Sequence, residues 1–240
     1  MESIKNRTVA DVVSENIKTA KVFKKNGIDF CCGGGISIEK ACEKHKVDLA
    51  NIEQELLQID NTLSGKSDYK SWGLDVLIDH ITKTHHTYVE EAIPLIIQYS
   101  DKVAKVHGDF HPEVVRVNEL FHAVANELTP HLKKEELILF PFIKKLVDAK
   151  KNQSTPAPAP FGTVGNPIQM MTVEHENAGD IFKEIAKITN NYTPPEEACN
   201  TYRALYDSLE EFEQDLHLHI HLENNILFPK AITLEAELNN

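Results

Sequence analysis

Glycine and proline are scarce in this chain, 10 and 11 among 240 residues, too few for a fibrous protein. A basic surplus is missing too: 25 Lys and Arg stand against 37 Asp and Glu, for a formal net charge of −12. That argues against a free nucleic-acid or anionic-membrane surface, since either needs a basic face. No uninterrupted apolar stretch, including the one around Ile96, approaches a membrane span. The opening MESIKNRTVADVV lacks the apolar run of a signal peptide, so a cytoplasmic protein is expected. Only four cysteines occur, Cys31, Cys32, Cys42 and Cys199, and in that compartment they read as thiols rather than a disulfide framework. What remains, 41% apolar and 26% charged residues, is the profile of a soluble globular protein of one large or two smaller domains.

The pattern is helical throughout, and an all-α fold is expected. From Thr8 to Asn26 the apolar residues Val9, Val12, Val13, Ile17, Ala20, Val22 and Phe23 recur at helical spacing, with Thr8 as N-cap and Gly27 as the stop. FCCGGGIS follows as a Gly-rich turn. Ser37 and Asp48 are placed to cap two further short helices. These make a small helical domain over 1–63, and 64–72 reads as a linker. Residues 73–240 carry four long amphipathic patterns, roughly Leu74–Val106, Pro112–Ala149, Ile168–Asn190 and a last one ending near Phe228 before a short tail. NQSTPAPAPFGTVGNP is a loop between the second and third, and the prolines of NNYTPPEE suit the first turn of the fourth. Four such helices with short or flexible links predict a four-helix bundle.

Twelve histidines are many, and an internal repeat organises them. HLKKEELILFP (His131 to Pro141) aligns without gaps on HIHLENNILFP (His219 to Pro229), 88 residues later. Each copy holds a His with a Glu four residues on, which share one helix face. An earlier helix adds a histidine to each half. His175 lies 44 residues before His219, and His86 lies 45 before His131. His85 competes with His86: the repeat offset favours His86, whereas a 100° wheel places His85 nearer the stripe of Ile78, Ile81, Val89 and Ala92.

Buried carboxylates are costly unless they meet a cation. Four imidazoles and two carboxylates on core-facing positions therefore predict a dinuclear metal site built from His86, His131, Glu135, His175, His219 and Glu223. With both glutamates bridging and an oxo or hydroxo bridge added, each octahedral ion keeps an open position. Mixed nitrogen and oxygen donors with open positions suit iron, and zinc is second choice. Ferritin-type bundles use Glu-x-x-His instead, so the pattern here points to a hemerythrin-like site.

Other polar residues carry weaker signals. Glu127 lies one turn before His131, and Glu174 directly precedes His175; both are placed to support the ligands or to route ions and protons, or are ordinary surface acids. His217 and His221 point away from His219 on the wheel and are expected to be solvated or to support the site from behind. His45, His107, His111 and His122 show no partner pattern. Pro130 removes a helix hydrogen bond just before His131. CCGGG is not a phosphate loop, because no Lys-Ser or Lys-Thr follows, nor does it have CxxC spacing. Cys31 and Cys32 are either incidental to a turn or a thiol pair that meets the metal site or a client.

Taken together, GIDFCCGGG, HLKKEELILFP, VEHENAG and HIHLENNILFP resemble the iron–sulfur cluster repair di-iron proteins, the RIC or ScdA/YtfE type, over essentially the whole chain. The resemblance implies a ScdA-like N-terminal domain and a hemerythrin-like domain. It places metal ligands at His86, His131, Glu135, His175, His219 and Glu223, with both glutamates bridging two irons. It maps the family's vicinal cysteines onto Cys31 and Cys32, and the acids lining an access path onto Glu127 and Glu174. It implies a cytoplasmic stress protein acting on damaged iron–sulfur proteins. Its chemistry is either iron donation or reduction of nitric oxide to nitrous oxide, so enzymatic turnover stays open. Homodimers are common among such proteins, an expectation that comes from the resemblance alone. The competing readings are a hemerythrin that binds or senses oxygen or nitric oxide without turnover, and a structural zinc or manganese bundle. The cysteine pair favours repair, because a carrier needs no thiols.

Overall fold

Thr8 accepts a hydrogen bond from the Asp11 amide at 3.0 Å and starts α1 (Val9–Glu15) in the computed structural model, which describes residues 4–59, 68–156 and 158–239. Asn16 ends that helix. Its backbone swings to φ −148°, and its side chain accepts from the Lys18 amide, opening a 3-10 turn that leads to α2 (Ala20–Lys25). The one helix expected from Thr8 to Asn26 is therefore two, because a short amide side chain competes with the helix for backbone groups. Gly27, at φ +68°, closes α2 in the left-handed conformation that favours glycine. Ser37 caps α3 (Ile38–His45), and Asp48 caps α4 (Leu49–Gln58). Of the expected linker, residues 64–67 lie outside the described residues. Tyr69–Ser71 forms a 3-10 turn whose Tyr69 ring meets Trp72 edge-on at 4.8 Å.

The long helices follow. They are α5 (Leu74–His80), α6 (Thr87–His107), α7 (Pro112–Lys134), α8 (Phe140–Lys151), α9 (Gly165–Ile188), α10 (Asn200–Leu222) and α11 (Phe228–Leu238). Three joins are wide π-helical turns: Ile81–His86, Glu135–Leu139 and Glu223–Leu227. In each, an amide reaches a carbonyl five residues back: Thr87 to Thr82, Phe140 to Glu135 and Phe228 to Glu223. Pro141 and Pro229 stand one residue beyond two of these turns. A proline ring crowds the carbonyl four residues earlier, and the widened turn gives it room. The last helix does not stop near Phe228, because proline in the first turn of α11 is tolerated and the helix runs to Leu238. Pro194 and Pro195 stand ahead of α10 rather than in its first turn; the Ala198 amide turns back on the Pro195 carbonyl at 3.0 Å. Among the described residues no strand forms, and the isolated β-bridges are Thr8–Ser37 and Ala159–Gly162.

The chain divides into two compact units. The second, Asp79–Lys145 with Ala157–His217, is a four-helix bundle. Its core closes on the fully buried Phe212 of α10, which meets Tyr88 of α6, Phe121 of α7 and Phe182 of α9 at ring distances of 5.5 to 6.1 Å. One side chain thus ties all four helices, and burying such a ring contributes about 1.5–3 kcal/mol.

The first unit joins Met1–Ile78, Leu146–Pro156 and Leu218–Asn240. Its small core holds Val13, Phe23, Ile38 and Ile52, all fully buried. Backbone bonds from Val9 to Ile36 and from Ala10 to Gly34 fold the Gly-rich turn onto α1. A Cβ at Gly34 would stand 2.3 Å from the Phe30 carbonyl oxygen, so this close approach requires glycine. The π turn Glu223–Leu227 packs on α1. Lys230 of α11 donates to the carbonyls of Lys70 and Trp72 at 2.6 and 2.8 Å.

Candidate metal centre

Four of the expected ligands lie in the second unit, and all are buried. His86 ends the π turn Ile81–His86, His131 sits near the end of α7, Glu135 opens the next π turn, and His175 comes from α9. Glu135 Oε2 lies 3.4 Å from Nε2 of both His86 and His131. The Nε2 atoms of His131 and His175 face each other at 3.0 Å. Donor atoms of His131, Glu135 and His175 fall within 4.8 Å of one another, close enough for a shared ion.

Two carboxylates hold the outer ring nitrogens. Glu136 Oε1 stands 2.9 Å from His86 Nδ1, and Glu174 Oε2 stands 2.7 Å from His131 Nδ1. Each carboxylate accepts the Nδ1 proton, which fixes the tautomer and turns the lone pair of Nε2 toward Glu135. Burial alone would raise the pKa of Glu174, but hydrogen bonds from Lys134 and His131 outweigh it and hold the carboxyl below its usual range. Glu136 is held down in the same way, burial being outweighed by His86 and Lys133.

Glu135 itself is fully buried, and neither carboxylate oxygen has a hydrogen-bond partner. An isolated buried carboxylate costs several kcal/mol unless a cation meets it. Imidazole nitrogens around such a carboxylate are a donor set suited to iron. The residues present therefore fit a metal ion.

The first unit holds the matching pair. His219 Nε2 lies 3.1 Å from Glu223 Oε1, both are buried, and the glutamate again opens a π turn followed by Phe-Pro. His85 is buried as well, but its Nδ1 pairs with Asp215 Oδ1 at 2.8 Å and its ring meets His80. Glu127 is exposed on α7. His217 is half-buried.

His221 is neither solvated nor idle. It is fully buried, its Nε2 lies 3.1 Å from Ser14 Oγ, and its Nδ1 lies 3.3 Å from the Phe30 carbonyl. Burial pushes its pKa down to about 4. Asn225 donates to the Cys31 carbonyl at 2.8 Å, so the cysteine loop is tied to the π turn that Glu223 opens. Cys31 is buried and Cys32 half-buried, with their sulfurs 3.8 Å apart. The neighbouring Cys32, burial and the Asp29 carboxylate push the Cys31 thiol well above its usual pKa.

Sequence reasoning passed over Glu136 and Asp215. Glu136 adjoins an expected ligand in the run Glu135-Glu136, but Asn224 stands at its place in the second copy, so the repeat gives no support. Asp215 is 130 residues from His85, and only packing brings them together.

Two family models match the chain. Residues 5–60 match the ScdA N-terminal model, described as a domain of unknown function. Residues 77–231 match the hemerythrin HHE cation binding domain. A probable iron–sulfur cluster repair protein of Haemophilus influenzae is 37% identical over 214 residues, which cover 88% of this chain and 90% of that protein. The iron–sulfur cluster repair protein YtfE of Salmonella schwarzengrund is 37% identical over 219 residues, 91% of this chain and 93% of its own. With the cation binding model spanning well over half the chain and these relatives aligned almost end to end, the chain belongs to the iron–sulfur cluster repair family of hemerythrin HHE proteins.

Proposed function

We propose that this protein restores iron–sulfur clusters damaged by nitric oxide or oxidants, using about two iron ions held by His86, His131, Glu135, His175, His219 and Glu223. The observation that carries the reading is the Glu135 carboxylate, fully buried and without a hydrogen-bond partner. The internal repeat supports the count: each half supplies one His-x-x-x-Glu and one further His. The cation binding model runs from residue 77 to 231 and so spans every one of these positions. The names of the relatives supply the repair role.

In this reading the chain's own residues do three things. The histidines and glutamates would hold the ions, supplying nitrogen and carboxylate oxygen donors. Glu136 and Glu174 orient His86 and His131 through Nδ1, so that a lone pair rather than a proton meets the metal. Phe140, buried and stacked on the His86 ring at 5.6 Å, keeps bulk water from that side of the second unit's site. Bound iron would supply Lewis-acid and one-electron chemistry toward nitric oxide, or iron for a damaged cluster. The protein acts in the cytoplasm, in keeping with its four free cysteines.

A specific observation favours repair over an oxygen carrier: Asn225 holds the Cys31 backbone two residues after the ligand Glu223, and a carrier has no use for thiols there. The test pairs metal analysis with reactivation of a nitric-oxide-damaged cluster enzyme. About two irons per chain and recovered enzyme activity are expected. Zinc alone after iron-replete growth, or full iron without reactivation, would overturn the proposal.

A further inference from the structure

The Gly-rich turn holds a second set of metal donors. Asp29, Cys31 and Cys32 offer ligand atoms within 4.8 Å of one another. The sulfurs stand 3.8 Å apart, and Cys31 Sγ stands 3.3 Å from Asp29 Oδ1. These separations suit a particular geometry. Two thiolates about 2.3 Å from a tetrahedral ion stand about 3.8 Å apart, and an oxygen ligand at about 2.0 Å stands about 3.5 Å from each. A linear ion bound between the same sulfurs would need them about 4.6 Å apart at that bond length.

The turn is also built to keep its shape. The Cys31 and Cys32 amides both donate to Asp29 Oδ1 at 3.0 Å, which fixes the carboxylate over the two sulfurs. Gly34 lets the turn fold tightly past the Phe30 carbonyl. Asn225 and His221 grip the Cys31 and Phe30 carbonyls from the other side. Cys31 is buried while Cys32 is half-exposed, so an ion has a route in and one side stays open.

We infer that Asp29, Cys31 and Cys32 form a separate site for one divalent tetrahedral transition-metal ion, zinc or ferrous iron, with its fourth position open to an incoming ligand. Binding forms two metal–thiolate bonds and one metal–carboxylate bond, and the two thiol protons leave to solvent. Because the Cys31 thiol is held above its usual pKa by Cys32, by burial and by Asp29, an ion has to displace its proton, and binding strengthens as pH rises. The open position gives the site exchange chemistry, since a client thiolate can enter there and take the ion.

The test uses reduced, iron-loaded, full-length protein titrated with cobalt(II) without oxygen. Thiolate–cobalt charge-transfer absorption with strong tetrahedral visible bands is expected, saturating near one equivalent and bleached by zinc. Histidine and carboxylate ligands give no such thiolate band, so the readout is independent of the iron reading. The double variant Cys31→Ser/Cys32→Ser should lose the band while keeping its helical circular dichroism. Asp29→Asn keeps an oxygen acceptor for the two amides, and should bind cobalt about tenfold or more weakly. No thiolate band from protein with titratable thiols, a band that survives in the double serine variant, or unchanged affinity in Asp29→Asn would each overturn the site.

Discussion

Glu135 shows how one side chain can be wrong for folding and right for function. A fully buried carboxylate without a hydrogen-bond partner destabilises the metal-free protein. Glu135→Leu should therefore raise the stability of the metal-free form by about 1–3 kcal/mol, the cost of a buried polar group that lacks a hydrogen-bond partner. The same change should abolish iron loading at its site. Urea denaturation of chelator-treated protein reads the first effect and metal analysis the second; a less stable metal-free variant would contradict the argument. The histidine pair on the first long helix gives a second test. His86 Nε2 faces Glu135, whereas His85 is engaged by Asp215 and His80. His86→Ala should lower iron occupancy sharply and His85→Ala much less, with iron per chain as the measurement.

At the scale of elements, π turns decide which way the buried histidines and glutamates point. A wheel drawn at 100° per residue assumes an unbroken α-helix, but Ile81–His86 is wound more widely. The wider turn shifts the phase, so that His86 rather than His85 comes to face Glu135. Glu135 and Glu223 each open such a turn ahead of Phe-Pro. The Gly-rich turn obeys a different steric rule. Gly34→Ala would place a Cβ 2.3 Å from the Phe30 oxygen, whereas a Cβ at Gly35 meets nothing within 4 Å. Gly34→Ala should cost about 1–3 kcal/mol and Gly35→Ala should be close to neutral, as read by urea denaturation. Equal effects would mean that the turn is not held as tightly as its backbone bonds to α1 indicate.

For the whole molecule, metal and fold are one equilibrium. Ligands that bind only the folded chain stabilise it, by about 2.7 kcal/mol when free metal is a hundredfold above Kd. For a chain of this size that is roughly 5–10 °C in Tm. Removing iron with a chelator should lower Tm by about that much in the natural protein and scarcely at all in Glu135→Leu. A net charge of −12 adds to this, because each bound cation relieves self-repulsion. Among the described residues no helix is long and apolar enough to cross a membrane.

The all-α class was legible in the sequence, because helical spacing of apolar residues and caps such as Thr8, Ser37 and Asp48 act locally. So was the duplicated His-x-x-x-Glu, since residues four apart share a helix face whatever surrounds them. The break at Asn16 and the extension to Leu238 were not, because cap competition and proline tolerance turn on neighbouring contacts. The sequence by itself determined which residue types would be buried on which helices, and with them the metal chemistry available. Only the tertiary structure decided the phase of the π turns, the carboxylate behind each histidine, and the seating of Cys31 against Asn225. Those depend on backbone winding and on contacts between residues tens to hundreds of positions apart, which no local pattern encodes.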